Sequence, residues 1–259
     1  MKESLQDMFS LKGKIAIVTG GNGGIGKGIA RGLAGAGADI VIAARNKAKI
    51  DEAVTEIKND FKVQAIGLVA DMRKPAEVED MVKQTAYKFG RLDILVANAG
   101  IGLPKPPTEL TLEEWDENIE INLRHVFIAA KAAYPFMKKS GGGKIITLGS
   151  MTSVFGIGLF SSYGASKGGI LSLSRSLAVA WARDNIQVNC ILPGFINTAL
   201  TAGRGDIPGF EEAVKARTPA GRWGEPIDLA GTAVFLASPA SDFVTGLAVS
   251  VDGGYAVQG

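Results

Sequence analysis

Tyr163 and Lys167 stand four residues apart in Tyr163-Gly164-Ala165-Ser166-Lys167. On a helix this spacing puts both side chains on one face, one turn from each other. A phenol with a reference pKa near ~10 is a poor base at neutral pH, but a neighbouring ammonium favours its phenolate form. Lowering that pKa by about three units takes about 4 kcal/mol, within reach of two cations in a partly dry site. Such a pair would move a proton on or off a substrate oxygen. Taken alone, the spacing is common and structurally neutral. Ser150 lies thirteen residues before Tyr163 at the end of an apolar run, and Asn122 is a polar residue set between Ile121 and Leu123. A buried Asn needs partners, and a kinked helix with a water site would supply them. Each also has a plainer reading, Ser150 as a strand-end cap and Asn122 as a satisfied core amide.

A second constellation lies near the start of the chain. The run Lys14 to Thr19 leads straight into Gly20-Gly21-Asn22-Gly23-Gly24-Ile25-Gly26 and then a segment of helical period. Gly21 opens a G-x-G-x-x-G pattern, while Thr19, Gly20, Gly24 and Gly26 give T-G-x-x-x-G-x-G. Glycines permit the tight turn and the close backbone approach that a pyrophosphate needs, and the free amides of the helix start meet its charge. Bare glycine patterns are weak signals, but between a first strand and a first helix this one points to a dinucleotide. An oxidised nicotinamide would then be the second cation beside Tyr163. The end of the next strand reads Ala43-Ala44-Arg45-Asn46, and Asp39 sits at that strand's opening end. The carboxylate that would hold a ribose 2′-OH is missing, and Arg45 offers a planar fork matched to a 2′-phosphate. NADP(H) is therefore the expected cofactor and NAD(H) the alternative; Arg45 also reads as a solvated helix-start residue.

These residues need a frame to bring them together, and the hydropathy pattern supplies one. Residues 14–19, 39–44, 64–70, 92–97, 144–148, 186–192 and 247–251 read as strands, most with continuous apolar interiors, as expected when a parallel sheet is covered on both faces. Residues 24–36, 47–59, 76–89, 112–138 and 162–183 read as helices. Pro75 marks one helix start, and Thr111 with Glu114 forms a capping box at another. The alternation predicts an α/β fold, a Rossmann-type doubly wound parallel sheet of about seven strands. The 259 residues read as a single domain. The segment 199–217 has weak period and carries Pro208, which suits a substrate lid or an ordinary surface loop.

Composition removes several function classes. The net charge of +2 and the absence of a basic run argue against a nucleic-acid or membrane-surface partner. One Cys and one His exclude an internal disulfide, a multi-thiolate metal site and a two-His metal site. No apolar stretch reaches the ~18 residues of a membrane span, and the N-terminus lacks the apolar core of a signal peptide. A cytoplasmic protein is expected. Cys190 reads as a buried thiol without a redox role, His125 as a packing or interface residue, and Trp181 and Trp223 as core or interface aromatics.

Over nearly its whole length the chain resembles the short single-domain branch of the short-chain dehydrogenase/reductases. The resemblance rests on the glycine loop, Asp71, Asn98-Ala99-Gly100, Asn122, Ser150, Tyr163-x-x-x-Lys167, Pro193-Gly194 with Thr198, and Asp252-Gly253-Gly254, in order and at the usual separations. It implies that Tyr163 is the general acid/base, that Ser150 polarises the substrate oxygen, and that Lys167 lowers the Tyr163 pKa and binds the nicotinamide ribose. Asn122 would anchor a water relaying protons to Lys167. The cofactor would run along Gly20, Asn22, Gly24, Ile25 and Gly26, then past Arg45, Asp71, Met72, Asn98 and Gly100. It would end among Tyr163, Lys167, Pro193, Gly194, Ile196 and Thr198. In this arrangement Asp71 meets the adenine amino group, Asn98 the adjacent ribose region and Thr198 the nicotinamide side. The resemblance also implies a homotetramer pairing the helices around 112–138 and 162–183 and the C-terminal strand.

The implied reaction passes a hydride between a nicotinamide cofactor and a secondary alcohol or ketone. The segments 217–224 and 180–183 are similar to members acting on sugar acids and polyols, including gluconate 5-dehydrogenases. A 3-oxoacyl-thioester reductase is the alternative, and a nucleotide-binding protein without catalysis a distant one. Thr152, Phe155, Leu159 and Phe195, with Ser150, are the candidate substrate contacts. Phe155 and Leu159 read equally as interface packing, and Arg204 and Asp206 stand farther out.

Overall fold

Seven short runs of Val, Ile, Leu and Ala form one sheet because their neighbours in sequence fold into helices that cover both of its faces. The computed structural model describes residues 4–203 and 207–258. The strands are β1 (Ile15–Thr19), β2 (Asp39–Ala44), β3 (Ala65–Val69), β4 (Ile94–Ala97), β5 (Gly143–Leu148), β6 (Ile186–Pro193) and β7 (Ala248–Val251). All six strand pairings are parallel, in the order β3-β2-β1-β4-β5-β6-β7. The expected strands are all present, shortened or extended by one or two residues at their ends.

The helices are α1 (Leu5–Met8), α2 (Gly24–Gly35), α3 (Lys47–Phe61), α4 (Pro75–Phe89), α5 (Leu112–Ile119), α6 (His125–Lys139), α7 (Ser161–Trp181), α8 (Phe210–Arg217) and α9 (Ala230–Ala237). Alternate residues of one strand feed two cores. Ala16 and Val18 of β1 pack with Ile29 and Leu33 of α2 and Ala233 of α9, while Ile17 packs with Val82 of α4 and Ala129 of α6 on the other face. Such two-sided burial explains the continuous apolar strands. Strand order reverses beside β1, between β2 and β4, and the crevice outside the carboxyl ends of those strands is where this topology takes ligands.

Two parts differ from the sequence pattern. The helix expected over 112–138 is three pieces, with a π-helical stretch at Glu120–Arg124 between α5 and α6. The Thr111–Glu114 capping box is formed at its start. The segment 199–217 is not wholly irregular, since α8 occupies its second half; Arg204 and Asp206 fall outside the described residues.

His125 ends the π-helical stretch fully buried, and neither ring nitrogen has a hydrogen-bond partner among the described residues. Burial, aided by the charge of Lys167, pushes its pKa down to about 4; the Ile121 carbonyl acts the other way without making a well-aligned bond. The unfolded imidazole titrates near ~6.5. Between these values the unfolded chain holds the extra proton, so stability falls as pH drops from about 6.5 toward 4. His125 is the single histidine, and carboxylates titrate lower. Thermal unfolding between pH 7 and 5 is therefore expected to show a smaller loss of Tm in His125→Asn than in the parent chain. Parallel curves for the two proteins would contradict this.

Candidate active site

A cleft of about 830 Å³ opens across the carboxyl ends of the central strands. Its floor begins at the glycine turn after β1. Gly20 and Gly24 have φ of +66° and +49°, values that side-chain-bearing residues avoid. A Cβ on Gly26 would stand 2.4 Å from the Gly20 carbonyl oxygen, so only glycine lets α2 start this close to the turn. The N-cap, Gly23, supplies no side-chain cap, and the first turn of α2 holds no acidic residue. Its amides and positive dipole end are left for an anionic group. The turn is locked to β4: the Asn98 side-chain amide donates to the Thr19 carbonyl at 2.8 Å, and Thr19 Oγ1 accepts from the Asn98 and Ala99 amides. This cradle fits a dinucleotide pyrophosphate.

At the outer end of the cleft Arg45 and Lys49 flank Asn46, the N-cap of α3. Asp39 lies at the other end of β2, accepting from the Gln64 amide at 2.8 Å, and does not reach this mouth. Asp71 faces the cleft with its carboxylate gripped by Arg73, which holds its pKa down at about 2.

The inner end gathers Ser150, Tyr163 and Lys167, with Asn122 behind them. Lys167 is 5% exposed, and its Nζ donates to the Leu148 carbonyl at 2.7 Å and lies 5.7 Å from the centre of the Tyr163 ring. Burial lowers its pKa to about 8, which leaves it mostly charged at neutral pH. Ser150 Oγ accepts from the Thr152 amide at 3.1 Å, which leaves its hydroxyl hydrogen free to be donated. The Asn122 side chain is wholly engaged with protein: its Oδ1 accepts from the Ile101 amide at 2.8 Å, and its Nδ2 donates to the Ile101 carbonyl and to Ser166 Oγ. It therefore staples the loop after β4 to the π-helical stretch, and a water at Asn122 would have to meet its backbone.

One residue that sequence reasoning passed over ties this set together. Ser153 Oγ accepts from the Ser150 amide at 3.2 Å and donates to the Lys167 carbonyl at 2.7 Å. A single hydroxyl thus fixes the β5 end against the α7 turn that carries Tyr163 and Lys167. The signal was a Ser three residues past Ser150, which a lone sequence does not separate from an ordinary turn.

Of the remaining expected positions, Gly20, Asn22, Gly24, Ile25, Met72, Gly100, Pro193, Gly194, Ile196 and Thr198 line the cleft, as do Thr152, Leu159 and Phe195. Gly26 lies beneath the turn instead. Phe155 is not on the lining; its ring stacks on Tyr255 with centres 6.0 Å apart, under the guanidinium of Arg217. Trp223 packs against Phe195 and Phe210, behind the inner wall. Cys190 is buried, and burial raises its thiol pKa. Among the described residues no group of three or more His, Cys, Asp or Glu side chains could hold a metal, and no helix is long and apolar enough to cross a membrane.

Residues 20–256 match the family model described as Enoyl-(Acyl carrier protein) reductase. The chain is 42% identical over 251 residues to a 2-dehydro-3-deoxy-D-gluconate 5-dehydrogenase from Bacillus subtilis strain 168, covering 97% of this chain and 98% of that one. It is 37% identical over 255 residues to a tropinone reductase homologue from Arabidopsis thaliana, covering 97% and 95%. A gluconate 5-dehydrogenase from Burkholderia cenocepacia J2315, solved with NADP and tartrate, superposes with a TM-score of 0.94 at 38% identity, covering 98% of this chain and 99% of that one. The chain belongs to the short-chain dehydrogenase/reductase family of NAD(P)-dependent oxidoreductases.

Proposed function

We propose that this enzyme interconverts a secondary alcohol and its ketone with NADP(H), using Tyr163 as the general acid/base. The observation that carries the reading is the buried Lys167 ammonium beside the Tyr163 ring, in one cleft with the glycine cradle. Bound there, the nicotinamide supplies or accepts the hydride. In the oxidation direction Tyr163, held as a phenolate by the Lys167 ammonium, takes the alcohol proton and becomes a neutral phenol. In the reduction direction Tyr163 gives the proton back and the Ser150 hydroxyl donates to the forming alkoxide. Asn98 and Thr19 keep the cradle in register, and Asn122 fixes the loop that roofs Tyr163. The chain acts as one domain over 1–259, with 199–217 as a lid.

The relatives named for gluconate-type acids support a search among polyols and sugar acids. A 3-oxoacyl-thioester reductase would want a basic face for its acyl carrier. Near the inner end Lys105, Lys215 and Arg222 each face a carboxylate instead. NADP(H) is favoured by Arg45 and Lys49 at the outer mouth, where an anion meets two cations and the start of α3. A cytoplasmic homotetramer is the assembly we propose, with exposed Phe127 on α6, Val179 on α7 and Leu247 beside β7 as apolar contact points.

Tyr163→Phe is expected to abolish turnover while NADPH affinity, read by fluorescence titration, stays near that of the parent; full activity would end the proposal. Ser153→Ala should lower kcat about tenfold with cofactor affinity unchanged, because it frees the β5 end from α7. Ser153→Thr, which keeps the hydroxyl, should recover much of the loss, and an unchanged kcat in the Ala variant would remove Ser153 from the mechanism. Arg45→Ser should cut the NADP-over-NAD ratio of kcat/KM by about tenfold or more, and a ratio that does not move would assign the choice elsewhere.

A further inference from the structure

The stretch Asp252-Gly253-Gly254 follows β7 directly and takes no part in the proton or hydride chemistry. The Asp252 carboxylate accepts from the Gly254 and Ala256 amides at 3.0 and 2.9 Å, which folds the chain into a tight turn. On one side this turn lies against the end of β6. The Gly194 amide donates to the Val251 carbonyl at 3.0 Å, and a Cβ on Gly194 would stand 2.6 Å from Asp252 Cα. On the other side the turn meets the chain leaving α8. The Ala220 amide donates to the Gly253 carbonyl at 3.0 Å, while Gly253 and Gly254, with φ of +65° and +90°, pack directly on Thr218 and Pro219.

Tyr255 carries the turn into an aromatic layer. It is 8% exposed, and its ring centre lies 5.2 Å from that of Phe195 and 6.0 Å from that of Phe155. Phe195 in turn meets Trp223 at 5.4 Å and, at 5.8 Å, Phe210, the first residue of α8. Phe195 and Phe210 both belong to the inner wall of the cleft, whereas Tyr255 does not line it. Arg217, the last residue of α8, lays its guanidinium over the Tyr255 and Phe155 rings, 4.5 and 5.2 Å from their centres. Both ends of α8 are thus fastened to one layer of rings, and Tyr255 is the member of that layer that also belongs to the C-terminal turn. Each ring pair and each cation over a ring stabilises modestly, and here they share one residue. All of these contacts use the Tyr255 ring and none its hydroxyl.

We infer that Tyr255 is a positioning residue for the substrate end of the cleft: its ring sets Phe195 directly and, with the C-terminal turn and Arg217, holds α8 and therefore Phe210. This rests on the redox reading above and adds to it that the fit of a substrate depends on the last residues of the chain, acting through two phenylalanines.

The full chain and its Tyr255→Ala variant are compared by hydrogen exchange with mass spectrometry, and by reduction of 5-keto-D-gluconate with NADPH. The amides of α8 are expected to exchange about tenfold or more faster in Tyr255→Ala, with those of α2 unchanged, because the loosening is local. KM for the ketone should rise about tenfold, a larger change than that in kcat, while NADPH affinity, read by fluorescence titration, stays at the parent value. Tyr255→Phe, which keeps the ring, should match the parent in every readout. Unchanged exchange of α8, equal acceleration of α2 and α8, or a Phe variant as impaired as the Ala variant overturns the inference. So does an unmoved KM in a chain that reduces the ketone. If the parent leaves the ketone untouched, the redox or sugar-acid reading is what fails, and the exchange comparison alone decides whether Tyr255 holds α8. Should Tyr255→Ala not fold, Arg217→Gln takes its place, with α8 exchange expected to quicken about threefold and an unchanged rate overturning the inference.

Discussion

Lys167 holds its ammonium almost out of water, donating to the Leu148 carbonyl, with no carboxylate within ion-pair distance among the described residues. Burying a charge in this way is unfavourable by itself, and it lowers the lysine pKa. A carboxylate partner would relieve that cost and at the same time cancel the field that the ammonium exerts at the Tyr163 ring. The arrangement therefore keeps the cation unneutralised and satisfies it with a neutral dipole, leaving its charge available to a phenolate and to an incoming anionic cofactor.

Much of the surrounding structure serves to keep that ammonium in place. Leu148 is the last residue of β5, so the acceptor is set by the sheet rather than by a loop. A Cβ on Gly100 would lie 3.1 Å from Asn122 Oδ1, so the amide would have to give by a few tenths of an ångström, and in ordinary contact, 3.5 Å, with Lys167 Nζ. Asn122 in turn pins the neighbouring Ile101 backbone from a π-helical turn, a feature frequent at functional sites. Ser153 closes the circuit from β5 to α7. Each contact joins two elements that approach the cleft from different directions, so rigidity at the site comes from the meeting of several short links.

The sheet and the grouping of Ser150, Tyr163 and Lys167 in one cleft were legible in the sequence because each leaves a local trace. Two-faced burial writes continuous apolar runs for β1, β4 and β6, the turn after β1 writes its glycines, and a helical face writes the four-residue spacing of Tyr163 and Lys167. The π-helical turn left no trace, since apolar period continues smoothly from Leu112 to Lys138. Helix α9 was missed because Ala230–Ala237 is nearly uniform in hydropathy and carries no helical stripe to distinguish it from a strand. Helix α8 follows a glycine with no side-chain cap. Phe155 looked like a cleft residue by its distance from Ser150 in sequence. Its ring is instead held by Tyr255 at the far end of the chain.

The character of the inner wall was the least readable feature, for a physical reason. Its lining comes from the loop after β4, the turn after β5, the start of α7, the end of β6 and the residues around Leu200 with Phe210 of α8. No one of these segments is long enough to show a pattern. Each carries apolar residues that would look ordinary in a core, and only their convergence makes an apolar wall. The basic residues Lys105 and Lys215 are paired in space with Glu114 and Glu211. A sequence announces charge, but whether that charge faces a ligand depends on which carboxylate reaches it first. The residues grouped at the inner end lie on a few adjoining elements and leave a trace in one chain, whereas the wall, spread over five segments, has to be read from the cleft itself.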